Sequence, residues 1–189
     1  MSMDEIQVQV EPEAEDSPTK VLICVNQSSI KGYPYPSLSC VDAFEWTLKK
    51  LVKRSSKHLF KLCFLHVEVP DEDGFDDTDS LYASPDDFKD LKHREKIRGL
   101  HLLEIFIRRC HEIGVPCEGW IRKGDPKEAI CREVKKIHPD ILIVGSRGLG
   151  PVQRIFVGTV SEYISKHADC PVLVIKRKVE DTPEDPVDD

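Results

Sequence analysis

A chain of 189 residues, 40% hydrophobic and 32% charged, can bury the core of one soluble globular domain. Its acidic N-terminus, the lack of any apolar run near 18 residues and seven cysteines without C-x-x-C spacing argue against a secretory leader, a membrane span and a zinc or disulfide framework. The net charge of −7 sits at the ends: residues 1–19 hold six acids and residues 179–189 six more, neither with a Lys or Arg, so 27 basic residues face 22 acids in between, a balance suited to a small anionic ligand.

In chain order, residues 1–19 are polar, acidic and proline-containing and are expected to be disordered. Val21 to Val25 reads as a first strand, ending in Asn26-Gln27-Ser28-Ser29. The following segment, IKGYPYPS, carries Gly32, Pro34 and Pro36 and cannot be helical for long. A helix is expected from about Leu38 to Arg54, its apolar face formed by Val41, Phe44, Leu48 and Leu51. Leu59 to Val67 is a second strand; His66 within it reads as a satisfied structural histidine. An acidic loop, DEDGFDDTD, leads to Pro85; its spacing does not fit a calcium-binding hand, so a solvated loop is expected. The longest helix spans Asp86 to Ile113, burying Ile105, Phe106, Cys110 and Ile113 before Gly114.

Val115 to Ile121 is a weaker third strand. Asp125-Pro126-Lys127-Glu128 signals a helix start, with Asp125 at the N-cap and Pro126 at the first helical position; Pro139 marks its end. Ile141-Leu142-Ile143-Val144 is an unbroken apolar run rich in β-branched residues, as in a central strand buried on both faces. Glycines follow at 145, 148 and 150, and Gly158-Thr159 opens a short amphipathic helix. Pro171 to Ile175 is a fifth strand. Strands alternating with helices imply a doubly wound parallel sheet, an α/β fold with helices on both faces.

Strand, glycine-rich loop and helix start together make a phosphate cradle, because a helix N-terminus offers unpaired N–H groups and partial positive charge. Gly145 and Gly150 have Walker A spacing, but Pro151 and Val152 stand where Lys and Ser/Thr are needed; Gln153 replaces the third glycine of a dinucleotide fingerprint. What fits is G-x2-G-x9-G-[ST], through Gly145, Gly148, Gly158 and Thr159. With this motif and this order of elements, the chain from about Lys20 to Lys178 resembles the universal stress protein family in its ATP-binding branch, near the small single-domain plant members.

The resemblance implies a Rossmann-like fold of the adenine nucleotide alpha hydrolase type, with five strands in the order 3-2-1-4-5. The switch point then falls between the first and fourth strands, where ligands collect at the carboxyl ends. It implies an adenine-nucleotide site, for ATP or AMP with Mg²⁺ accompanying ATP, formed by Val25, Asn26, Ser28, Val67, Val144, Gly145, Ser146, Arg147, Gly148, Gly158, Thr159, Val160 and Ser161. Within it Thr159 could N-cap its helix and offer a hydroxyl to phosphate, and Arg147 or Arg154 could reach phosphate oxygens. It implies a stress-response module that senses or signals nucleotide state, a homodimer through Val172, Leu173, Val174 and Ile175, and a signalling partner that the residues do not identify. A cytoplasmic place of action is expected, with the nucleus left open, and neither nucleic acid nor membrane as partner. Family members often carry Asp where Asn26 stands; the neutral amide holds a cation poorly, so no catalytic residue or metal ligand is assigned. A slow metal-dependent ATP hydrolase and a nucleotide-independent chaperone-like protein stay as alternatives.

Overall fold

The computed structural model describes residues 17–29, 31–53, 55–69, 85–146 and 158–176. The expectations for the two acidic ends, the loop of residues 71–79, Arg147, Gly148, Gly150 and Arg154 lie outside these residues. In chain order the elements are β1 (Thr19–Val25), β2 (Gln27–Ser28), β3 (Gly32–Pro36), α1 (Leu38–Lys50), β4 (Phe60–Glu68), α2 (Pro85–Ile113), β5 (Cys117–Lys123), α3 (Pro126–Ile137), β6 (Ile141–Ser146), α4 (Thr159–His167) and β7 (Val172–Lys176).

Five strands form one parallel sheet in the order β5-β4-β1-β6-β7, which is the expected 3-2-1-4-5. Alternating side chains feed two cores. On one face Val21, Ile23, Leu62, Phe64 and Ile143 pack under α1 and α2; on the other Leu22, Leu65, Leu142 and Val144 pack under α3 and α4. Phe44 of α1, Phe64 of β4 and Phe106 of α2 meet with ring centroids 5.3–5.5 Å apart, so one aromatic cluster ties both helices to the sheet.

The helix boundaries follow their capping chemistry. Ser37 caps α1, accepting from the Cys40 N–H at 3.3 Å, and α1 ends at Lys50, short of the expected Arg54. Its buried positions are Ser39, Cys40, Ala43, Phe44 and Thr47, with Val41, Leu48 and Leu51 only half-buried. Asp125 caps α3 through the N–H groups of Lys127 and Glu128, with Pro126 at the first turn, as expected. The third strand of the sheet, β5, starts two residues later than expected. Pro116 has no N–H for the ladder and contributes only its carbonyl, which accepts from Leu62 N–H at 2.9 Å. The segment expected merely to be non-helical is a small antiparallel hairpin of β2 and β3. No helix among the described residues is long and apolar enough to cross a membrane.

Candidate functional site

The sheet opens at the switch point. Among the described residues the β1–β6 ladder ends at Ile23–Ile143. The β1–β4 ladder runs on to Val25–His66, and the β6–β7 ladder to Ser146–Lys176. The carboxyl ends of β1 and β6 therefore follow their outer neighbours and part from each other, which is where an open α/β sheet admits a ligand.

Val25 and Asn26 form the β1 wall. Val25 is 3% exposed and Asn26 half-buried. The Asn26 side chain is engaged at both ends: Oδ1 accepts from the Ser37 hydroxyl at 2.9 Å, and Nδ2 donates to the Gln27 carbonyl at 3.2 Å. Its own carbonyl accepts from the Ser37 N–H at 2.9 Å. Ser37 in turn lies 3.1 Å from the Ser39 hydroxyl. Ser28 is buried, and its hydroxyl accepts from the Lys31 N–H at 3.1 Å, closing the hairpin turn.

Gly145 and Ser146 form the β6 wall. A Cβ at Gly145 would lie 2.1 Å from the Ser39 carbonyl oxygen and 2.4 Å from its carbon. The space on this side of Gly145 is filled by the backbone of α1, so packing alone requires glycine here. That helix is a packing reason for the glycine that the sequence pattern alone did not show. Ser146 is buried, and Val144 packs with Val67 and Val160 in the core under α3 and α4, so three of the anticipated residues share one cluster.

The third side is the start of α4. Gly158 occupies the N-cap (φ −54°, ψ 148°), which corrects the expectation that Thr159 would do so; Thr159 is the first helical residue and is exposed. With glycine at the cap, no side chain of that residue competes for the first N–H groups of the helix. Among the described residues no atom lies within 4 Å of a Cβ built at Gly158, and its φ suits any residue, so neither packing nor strain explains this glycine. Val160 is half-buried and Ser161 buried. Glu162 in the first turn is held by Lys166 at 2.7 Å, a bond that lowers its pKa.

His66 is buried at the end of β4, with both ring nitrogens in contact with partners, as the sequence reading anticipated. Burial pushes its pKa down, opposed by a bond to the Val25 carbonyl. Burial also raises the Cys24 thiol to about 12, which leaves it a poor nucleophile. The sequence reading missed Ser37 and Ser39. A serine just before an apolar helix is a cap signal and could have revealed Ser37. Two concavities among the described residues, of about 190 Å³ beside Val134, His138 and Cys170 and about 270 Å³ beside Lys20, Lys61 and Trp120, lie at the amino ends of the strands. The parting of β1 from β6 lies at the opposite, carboxyl ends of those strands.

Comparison with known proteins follows the same line. The sequence pattern of the universal stress protein family matches residues 33–176. A universal stress protein A-like protein of Arabidopsis thaliana is 62% identical over 172 residues, covering 91% of this chain and 98% of the relative. The crystal structure of a universal stress protein family protein from Arabidopsis thaliana with AMP bound superposes with a TM-score of 0.70 at 53% identity, covering 91% of this chain and all of that one. A universal stress protein from Lactobacillus plantarum, at 22% identity and TM-score 0.55 over 83% of this chain and 97% of its own, shares the fold.

Proposed function

The chain belongs to the universal stress protein family, and from that premise we propose that it binds an adenine nucleotide, AMP or ATP, in the crevice between β1 and β6. In this reading it is a stress-response module that senses or signals nucleotide state. The observation that carries the proposal is the parting of β1 from β6 at the switch point, beside a helix that begins on glycine. The AMP in the Arabidopsis structure supports the choice of ligand. Base and ribose would lie along Val25, Asn26 and Val67, and phosphate oxygens at the N–H groups of Thr159, Val160 and Ser161.

Hydrolysis would be slow. Phosphoryl transfer to water needs a positioned nucleophile and charge neutralisation. Asn26 is a neutral amide whose oxygen is already taken by Ser37. Among the described residues no group of three or more His, Cys, Asp or Glu side chains could hold a metal, so Mg²⁺ would enter on the phosphates of ATP. Calorimetric titration of AMP and ATP into wild type and Gly158→Val tests the reading. Micromolar binding, on the order of −8 kcal/mol, is expected for wild type and a marked loss for the variant. No heat from wild type, or equal heats from both proteins, would refute it. In the same samples, ATP turnover faster than about one per second would favour an enzyme.

A further inference from the structure

The β1 wall of the crevice is held by a specific chain of contacts. Val25 stands opposite His66 in the β1–β4 ladder. The His66 ring is 1% exposed, and its Nδ1 lies 3.0 Å from the Val25 carbonyl oxygen. Its Nε2 lies 2.7 Å from the Tyr33 hydroxyl, and the two rings meet edge to face at 5.6 Å and 82°. These partners fix the tautomer. A carbonyl only accepts, so Nδ1 carries the proton; Nε2 is then bare and accepts from the Tyr33 hydroxyl.

Tyr33 belongs to β3, on the hairpin that leaves the sheet at Asn26 and returns at Ser37. Ser37 bonds back to Asn26 through both its N–H and its hydroxyl, each at 2.9 Å. The segment from Asn26 to Ser37 is thus pinned twice, at its base by Ser37 and along its length by Tyr33. Helix α2 closes over the same ring: a Cβ at Gly99 would lie 2.6 Å from Glu68 Oε1 and 3.3 Å from His66 Cδ2, so glycine allows the approach.

We propose that Tyr33 and His66 are positioning residues for the nucleoside half of the crevice, a relay of hydroxyl, imidazole and Val25 carbonyl that presets the Val25–Asn26 wall for an adenosine moiety. The inference rests on the adenine-nucleotide reading above and adds which residues govern the base side. Neither side chain touches the ligand; both act through Val25 and Asn26. A wall ordered during folding need not be ordered on binding, and that lowers the cost of association.

Adenosine and AMP are titrated into the full-length wild type, Tyr33→Phe, His66→Asn, the double variant and Gly158→Val, with thermal unfolding checking the fold of each. Tyr33→Phe keeps the ring and loses the hydroxyl. His66→Asn keeps a donor near the Nδ1 position and nothing that reaches Tyr33. Tyr33→Phe is expected to weaken adenosine and AMP by the same factor, about three- to tenfold. It should cost nothing further in the His66→Asn background, whereas Gly158→Val should weaken AMP far more than adenosine. Nitrogen-15 spectra of wild-type His66 should show a protonated Nδ1 and a bare Nε2, with Nε2 shifted in Tyr33→Phe, a change that packing alone would not produce. Unaltered affinities in Tyr33→Phe while AMP still binds, or costs that simply add in the double variant, overturn the relay and leave the nucleotide reading standing. If wild type binds neither ligand, both fall together.

Discussion

Gly145 and Gly158 belong to one motif and are glycine for different reasons. At Gly145 the obstacle to a side chain is the Ser39 backbone, which cannot swing aside. At Gly158 the backbone is ordinary and the described surroundings are open. Gly145→Ala should therefore cost about 1–3 kcal/mol in urea-induced unfolding, as overpacking does. Gly158→Ala should change stability by less than about 1 kcal/mol and instead weaken AMP in calorimetry. Equal stability losses would contradict the distinction. The spacing of these glycines was legible in the sequence. The reason for Gly145 was not, because it depends on a helix that meets the strand only in the folded sheet.

Between elements, a buried carboxylate among the described residues joins β5 to α3. The Glu133 side chain is 1% exposed, with Arg122 Nε at 2.9 Å and Lys136 Nζ at 2.8 Å. The Arg122 approach is at ion-pair distance but poorly aligned for a hydrogen bond, and the Lys136 contact satisfies the other oxygen. Burial pushes the Glu133 pKa up, yet Lys136 and Arg122 outweigh it and hold the carboxyl below its usual value. A depressed carboxylate contributes stability above its unfolded pKa, near pH 4, and that contribution is lost as pH falls through the folded value. Glu133→Gln should thus be less stable at pH 7 by about 1–2 kcal/mol, since Arg122 and Lys136 still reach water. Its stability should also fall less steeply than that of wild type below about pH 4. Parallel acid-dependent slopes in urea unfolding would rule this out. Strands, helices and their order were readable from periodicity and caps. The β2–β3 hairpin was not, because Pro34 and Pro36 cannot donate to a ladder and β2 is only two residues long. Contacts such as Tyr33 with His66 cross elements and leave no local pattern.

For the whole molecule, the sheet order among the described residues leaves β7 at an edge, and Val172 to Ile175 is apolar for an edge strand. Association of two copies about a twofold axis through this strand is the expected arrangement. Sedimentation of wild type at high micromolar concentration should give a dimer. Val174→Lys should shift it to a monomer with unchanged circular dichroism. The second criterion is needed because Val174 also packs against the core under α3 and α4. A monomeric wild type would end the proposal.

The central position of β1 also bears on synthesis. This strand and β4 are made before β6, so its other flank waits: the Asp140 N–H donates to the Lys20 carbonyl, and the Asp140 carboxylate accepts from the Lys20 N–H, across 120 positions. Until that stretch leaves the ribosome, the middle of the future sheet has an open edge lined by some of its most apolar residues, a state prone to wrong pairing. A chain truncated before Ile141 should need chaperones to stay in solution, whereas one released with residues through Lys176 should close unaided.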